Sequence, residues 1–301
     1  MTDTKGFHID KQRVRHAFDR AAGDYDRVAV LQREVGNRLL ERLDYIRLRP
    51  NTITDIGAGT GYLSKHLAQR YKQASVIALD IAPNMLRRAR RHAGILARLL
   101  RCQSFVCADA ERLPLADQST DMIFSNLTLQ WCGDLDRVFA EFRRVLRPGG
   151  MALFSTFGPD TLKELRDSWS AADGAVHVSA FIDMHDIGDA LLRSGFVDPV
   201  MDAERFTLTY PDVYMLMREL KLLGAHNAAR GRNHSLTGKG RLRAMTAAYE
   251  LHRDNGTLPA SYEVVYGLAW APEVSSMNVQ ESGVVNIPLT ALQRRRPDRE
   301  S

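Results

Sequence analysis

Cysteine is scarce in this chain: Cys102, Cys107 and Cys132 are the three in 301 residues, an odd number with neither a zinc-ligand spacing nor a Cys-x-x-Cys redox pair. That argues against a disulfide framework and fits a reducing compartment. The opening residues, Met1 to Asp10, hold no apolar stretch of the signal-peptide kind, and no segment is long and apolar enough to span a bilayer. No internal repeat is present. A soluble, cytoplasmic protein is expected, with no membrane partner and no metal.

What the chain does have is enough apolar content, 45%, to bury a sizeable core as one large or two small domains; one domain carrying an insertion fits best. Its net charge of +5 and pI near 9.2 imply attraction to something acidic. Nucleic acid, an acidic carrier protein and an anionic small molecule all qualify. Part of that charge, Arg294-Arg295-Arg296 followed by Pro297-Asp298-Arg299, reads as a solvated tail.

The most informative run is Asp55-Ile56-Gly57-Ala58-Gly59-Thr60-Gly61. The β-branched stretch Thr52 to Ile56 predicts a strand entering it, and Tyr62 to Arg70, with Leu63 and Leu67 one turn apart, predicts a helix leaving it. Between them Gly57, Gly59 and Gly61 can take positive φ, so that this backbone, Ala58 included, approaches a ligand closely. Position 62 is Tyr, so the pyrophosphate fingerprint Gly-x-Gly-x-x-Gly is not met. An acidic residue just before Gly-x-Gly-x-Gly points instead to S-adenosylmethionine, with Asp55 facing its cationic amino or sulfonium end. A glycine-rich turn without a ligand is the alternative.

The following segments fit that cofactor in order. Ser75 to Asp80 predicts an apolar strand ending in a carboxylate roughly 20 residues past the loop, the placement that holds ribose hydroxyls, so Asp80 is the ribose candidate. A third strand, Gln103 to Ala108, leads into Asp109-Ala110-Glu111, where Asp109, with Ala110 beside it, is placed for the adenine amine. A fourth strand, Asp121 to Asn126, brings Asn126 and Leu127 to the cofactor, partly through backbone, because ligands of open α/β sheets sit at the strands' carboxyl ends. Any one of these Asp residues alone reads more readily as a strand-end turn or N-cap; three in register with the loop read as a site.

Asp134 to Arg147 predicts an amphipathic helix capped by Asp134, with Val138, Phe139, Phe142 and Val145 on the buried face and Arg137, Glu141 and Arg144 on a solvated one. Leu146-Arg147-Pro148-Gly149-Gly150 ends it before a fifth strand over Met151 to Thr156. Further on come a helix around residues 182–193, a strand region from Phe196 to Tyr210, a helix from Pro211 to about Leu223, a loop from Gly224 to Gly240, a helix over about Leu242 to Arg253, and a last strand over Tyr262 to Trp270. This order predicts an α/β, doubly wound, Rossmann-like, seven-stranded methyltransferase sheet, with an antiparallel last strand and a helical insertion between strands six and seven. The expected organisation is an N-terminal helical lid (1–45), a cofactor-binding core (46–210 and 259–272), an inserted cap over substrate or carrier (211–258) and a partly disordered tail (273–301).

More selective runs are Phe18-Asp19-Arg20-Ala21-Ala22-Gly23-Asp24-Tyr25-Asp26 with Leu31-Gln32-Arg33-Glu34-Val35, then Ser125-Asn126-Leu127-Thr128-Leu129-Gln130-Trp131-Cys132, the stretch Phe154 to Arg166, and Leu216 to Ala225. Together they resemble the malonyl-[acyl-carrier protein] O-methyltransferases of biotin synthesis, over roughly residues 10–272. The resemblance implies a class I methyltransferase that takes S-adenosylmethionine, releases S-adenosylhomocysteine, and esterifies the free carboxylate of a malonyl thioester on acyl-carrier protein or coenzyme A.

A malonyl carboxylate, with a carboxylic pKa of ~4, is ionised at neutral pH and needs no general base. The enzyme must align it and exclude water. A phenol or cation on the non-attacking oxygen would do so: Tyr25 is the first candidate, with Arg20 and His16 behind it. Gln130 and Trp131 are candidates for the wall of the acyl pocket, with Phe157 and Thr161 beyond the fifth strand. Arg218 and Lys221, three apart on one helical face, with Arg230, Arg232, Lys239, Arg241 and Arg243 further on, are candidates for meeting carrier carboxylates or the phosphopantetheine phosphate. A solvated charge face is the plain alternative.

Three rivals remain. A nucleic-acid methyltransferase lacks support: Ser125-Asn126-Leu127-Thr128 is not the Pro-Pro-aromatic pattern of adenine amino methylases, no Pro-Cys pair offers a cytosine nucleophile, and no aromatic stacking groove is evident. A mitochondrial assembly factor that hydroxylates an arginine shares the Phe-Asp-Arg opening and the late helical segment. This chain has Gln130-Trp131 where those relatives tend to have His-Trp, and begins without a transit peptide. A non-catalytic S-adenosylmethionine-binding protein is the third.

Overall fold

A strand with apolar side chains on both faces is stable only between two layers, and alternate residues of the central strands divide between two cores. The structure, a computed structural model, describes residues 9–93, 103–173, 177–178, 181–225 and 238–273. Seven strands, β1 (Thr52–Ile56), β2 (Ser75–Asp80), β3 (Gln103–Cys107), β4 (Thr120–Asn126), β5 (Leu146–Phe157), β6 (Val197–Tyr210) and β7 (Leu258–Trp270), form one sheet in the order β3-β2-β1-β4-β5-β7-β6. The first five pair in parallel, and β7 runs antiparallel to both its neighbours.

One core takes Ile53, Met122, Phe124, Leu153 and Tyr266 from the sheet and packs them against helices α3 (Val30–Arg42), α4 (Tyr62–Arg70) and α7 (Lys163–Ala172). The other takes Ile56, Ile123, Phe154 and Val265 onto α6 (Leu135–Val145) and α8 (Met184–Arg193). Helices α9 (Val213–Leu222) and α10 (Lys239–Glu250) lie between β6 and β7 in sequence and join the first core through Leu216, Met245 and Tyr249. A small third cluster fastens α1 (Lys11–Ala21) to α5 (Pro83–His92): Ala21 and Ala22 meet Ala82 and Met85, with Phe18 and Tyr25 against them.

The chain turns from β1 to β2 and β3 on one side, then crosses back to β4 on the other. The crevice between the carboxyl ends of β1 and β4 is therefore the topological switch point, where such sheets bind ligands. No helix among the described residues is long and apolar enough to cross a membrane.

Three local expectations change. Helix α6 stops at Val145, and β5 begins at Leu146 rather than Met151, because Arg147-Pro148-Gly149-Gly150 is built as a bulged entry into the strand, with Gly149 at φ 73° and the register shifting between Thr120 and Met122. Arg144 and Glu141 are not simply solvated. Arg144 grips the carbonyls of Leu113 and Leu115 and the Asp117 carboxylate, while Glu141 accepts the Leu113 amide at 2.7 Å, so the pair holds the β3–β4 connection. Helix α10 starts at Lys239 and ends at Glu250, and β7 starts at Leu258, earlier than its apolar run implied, because the β6–β7 ladder extends to Tyr210↔Leu258. Cys102, Arg230, Arg232, most of the 224–240 loop and the arginines at 294–296 lie outside the described residues.

Candidate active site

The glycine loop has the backbone the sequence requires, with φ of 74°, 55° and 83° at Gly57, Gly59 and Gly61. Gly57 is dictated by sterics: a Cβ there would lie 1.9 Å from Thr128 Oγ1. Gly59 is favoured by its positive φ rather than by crowding. Its amide donates to Asp80 Oδ2 at 2.9 Å, and the Tyr25 ring lies over it, 4.0 Å from where a Cβ would be. The amides of Gly57 and Ala58 both donate to the Leu79 carbonyl, which ties the loop to the end of β2.

Two buried carboxyls stand at this point. Asp55, at the end of β1, accepts from Ser64 Oγ, and burial raises its pKa to about 7. Asp80 accepts the amides of Gly59 and Ala82, and burial raises its pKa to about 6. No cation pairs with either among the described residues, so a ligand carrying positive charge would favour the ionised form of both.

Tyr25 opens the short helix α2 (Tyr25–Val28) and sits across the crevice, dividing it. On one side Phe18, Ile81, Asp109 and Ala110 line about 80 Å³; on the other Asp55, Ala58, Gly61 and Lys65 line about 300 Å³. Gly57, Gly59 and Asn126 line both parts. Burial pushes the Tyr25 phenol well above its ordinary range, and the Asp80 and Asp26 carboxylates add to this, so the hydroxyl stays protonated. Asn126 is held by its own bonds, donating to the Gln32 carbonyl at 2.9 Å and accepting from Ser155 Oγ at 2.7 Å. Leu127, at φ 49°, donates its amide to Ser155.

A second cavity of about 110 Å³ collects the acyl-pocket candidates Gln130, Trp131, Phe157 and Thr161. Gln130 is fixed by Leu127 O at 2.7 Å and Thr156 Oγ1 at 3.2 Å. Phe157 packs on Phe181 and Tyr262. Thr161 is fully buried, and its hydroxyl exchanges hydrogen bonds with the backbone of Glu263, so it shapes the wall and offers no free polar group. Trp131 meets Phe18 edge-on at 5.2 Å and lines both this cavity and the crevice.

His16 and Arg20 are not beside Tyr25. Both lie on the exposed face of α1 and line an outer groove of about 950 Å³, together with Arg218 and Lys221 of α9 and Trp131. The sequence ranked them after Tyr25 as groups for the substrate carboxylate; in the structure they point away from Val14 and Ala21, the positions α1 buries. Of the further cations, Arg241 pairs with Asp173 at 3.3 Å.

Sequence reasoning missed three groups. Lys11 donates to Asp109 at 2.7 Å and pairs with Glu111 at 2.9 Å, closing the Asp109 end of the crevice; burial opposes its charge, but Cys132 and the two carboxylates raise its pKa on balance. Its signal was the spacing of Lys11, Val14 and Phe18, which share a helical face. Gln32 lines both the crevice and the acyl cavity, and its Oε1 is buried with no partner, an acceptor awaiting a donor. His177 lines the acyl cavity, stacked on Trp169 at 3.8 Å with Nε2 2.8 Å from Asp173; no local pattern announced it. The orphaned Gln32 acceptor, the uncompensated Asp55 and Asp80 and the open glycine loop together fit a cationic adenosyl cofactor, with Asp109 and Ala110 at its base end.

Residues 54–154 match a family described as a methyltransferase domain. A malonyl-[acyl-carrier protein] O-methyltransferase of Methylovorus sp. (strain MP688) is 55% identical over 267 residues, 88% of this chain and 90% of that protein. The protein of the same name from Halorhodospira halophila (strain DSM 244 / SL1) is 48% identical over 290 residues, 96% of this chain and 97% of that one. Among solved structures, the YcgJ protein of Bacillus subtilis gives a TM-score of 0.55 at 16% identity, covering 78% of this chain and 98% of that one. Phosphoethanolamine N-methyltransferase 2 of Haemonchus contortus, solved with S-adenosylhomocysteine, gives 0.51 at 16% identity, covering 84% and 57%. These two likenesses speak for the fold alone.

Proposed function

Because the chain belongs to the malonyl-[acyl-carrier protein] O-methyltransferase family, we propose that it methylates the free carboxylate of a malonyl group held as a thioester by acyl-carrier protein, in the cytoplasm, for biotin synthesis. The observation that carries this reading is the identity of about half the residues over nearly the whole folded chain. The site supports it through the junction at Gln32 and Trp131, where a crevice suited to an adenosyl cofactor meets a cavity of acyl size.

S-adenosylmethionine, when bound, supplies the methyl group from its sulfonium and leaves as S-adenosylhomocysteine. Asp80 would hold the ribose, Asp109 and Ala110 the adenine, and Asp55, Gly57, Ala58, Gly59 and Gly61 the methionyl end, with Asn126 and Leu127 closing the floor. The carboxylate nucleophile is already ionised, so the residues move no proton. Tyr25, held protonated, donates a hydrogen bond to the non-attacking oxygen and turns the other along the displacement axis. Gln130, Trp131 and Phe157 wall the acyl group and keep water out, which strengthens every polar contact inside.

The test is purified protein with labelled S-adenosylmethionine and four acceptors: malonyl-carrier, malonyl-coenzyme A, tRNA and DNA. Label entering a malonyl thioester in base-labile form is expected. Label in nucleic acid, or in no acceptor, would overturn the proposal.

A further inference from the structure

We infer that the outer groove between α1 and α9 seats the phosphopantetheine arm through which a carrier protein presents its acyl group, with Arg20, Arg218 and Lys221 taking the phosphodiester. The inference rests on the malonyl-carrier reading above and commits to the arm rather than to the carrier's acidic surface.

Two observations of charge come first. Arg20, Arg218 and Lys221 are exposed, line one groove, and have no carboxylate partner among the described residues. The groove's own acids are already engaged: Asp10 caps α1 through the Arg13 amide and pairs with the Arg13 guanidinium, and Asp24 pairs with Arg27 at 3.1 Å. A cluster of cations without counter-charge on facing helices is the arrangement that binds a phosphate through charge-assisted hydrogen bonds.

The shape fits a chain rather than a flat protein surface. About 950 Å³ of space lies between the two helices, and Val14, Ala17, Ala21 and Leu222 supply an apolar lining for the pantetheine carbons. The approach of the helices is set by Gly224, at φ 76°, where a Cβ would lie 3.2 Å from the Ala17 carbonyl and 3.3 Å from Ala21 Cβ. Trp131 lines the groove, the acyl cavity and the cofactor crevice, so the groove adjoins the cavity that an acyl group on such an arm would have to enter.

The experiment compares malonyl-pantetheine, malonyl-phosphopantetheine and malonyl-carrier as acceptors, and measures binding of free phosphopantetheine and pantetheine by calorimetry. It uses the wild type, the triple variant Arg20→Gln/Arg218→Gln/Lys221→Gln, and Arg218→Lys. The wild type is expected to prefer the phosphorylated arm by about tenfold or more in kcat/KM and in Kd. That preference should fall toward unity in the triple variant and be largely kept in Arg218→Lys. Because it is a ratio within each protein, a partly misfolded variant does not mimic it. Equal use of the two arms by the wild type, an unchanged ratio in the triple variant, or a loss confined to the intact carrier would each overturn the inference, the last assigning the cations to the carrier's surface. If no thioester is methylated, the proposed reaction falls, and the calorimetric ratio alone decides the groove.

Discussion

The cofactor crevice and the groove outside it are built by different means. The crevice rests on strand ends: Asp55, Asp80 and Asn126 are fixed by backbone and neighbouring side chains before any ligand arrives. The groove rests on two helices that meet through small residues, with its charges on exposed faces. One region offers preorganised backbone and buried charge, the other loosely held surface cations. Damage to the first should abolish function, and damage to the second should change which substrate is preferred.

The sharpest contrast is Gly57→Ala. A Cβ at φ 74°, 1.9 Å from Thr128 Oγ1, cannot be accommodated without moving the loop. We expect roughly 1–3 kcal/mol of lost stability and no measurable S-adenosylmethionine binding, read by thermal melting and calorimetry. Gly195→Ala, also at positive φ but with nothing within 4 Å and remote in sequence from the loop, should lose stability and keep the cofactor; similar binding losses in both would erase the distinction.

Tyr25→Phe comes next. Losing a hydrogen bond to a charged oxygen is expected to lower kcat by about 10- to 100-fold while cofactor affinity stays within a few-fold. A pure rise in the malonyl KM would show that Tyr25 contributes only binding.

Proton linkage gives an intermediate effect. Asp55 and Asp80 keep their protons in the folded free protein up to about 7 and about 6, above the ordinary 3.8, so the folded state binds more protons than the unfolded chain. Their contribution to stability is therefore greatest at low pH and is lost as pH rises through those two values. Binding of a cationic cofactor needs them ionised, so its affinity should strengthen from about pH 5.5 to 8. Calorimetry at several pH values checks this, and Asp55→Asn should flatten the curve; a slope of the opposite sign would mean that Asp55 does not face the cation.

The smallest effect belongs to Lys11→Met, which breaks the pair with Asp109 and Glu111 while keeping most of the side chain's bulk. Partly buried pairs of this kind contribute about 1 kcal/mol, so cofactor affinity should shift by a few-fold. Protease cleavage near Tyr25 in the free protein should quicken; unchanged cleavage would show that the Ala21–Met85 cluster and the Asp19–Asn84 hydrogen bonds hold α1 without it.

Legibility followed the same division. The glycine loop, the three aspartates at or just past strand ends and the seven strands were readable because each rests on a local rule: a short β-branched or apolar run, positive φ, a carboxylate closing an apolar run. The limits of β5 and β7 were not, because a bulge and a long antiparallel ladder are decided by the partner strand. Arg20 stood in a selective run and His16 just before it, but no local rule told that both would face the outer groove rather than the crevice. Lys11 and His177 reach the cavities only through tertiary packing, from segments far from the glycine loop in sequence. The acceptor itself was legible through resemblance alone, since a crevice for the methyl donor says nothing about what receives the methyl.

The most direct test of the central claim is mass spectrometry of malonyl-carrier protein incubated with the enzyme and S-adenosylmethionine. One added methyl, located on the malonyl group and removed by an esterase, is the predicted result. An unmodified malonyl group, from protein that binds S-adenosylmethionine normally, would contradict it.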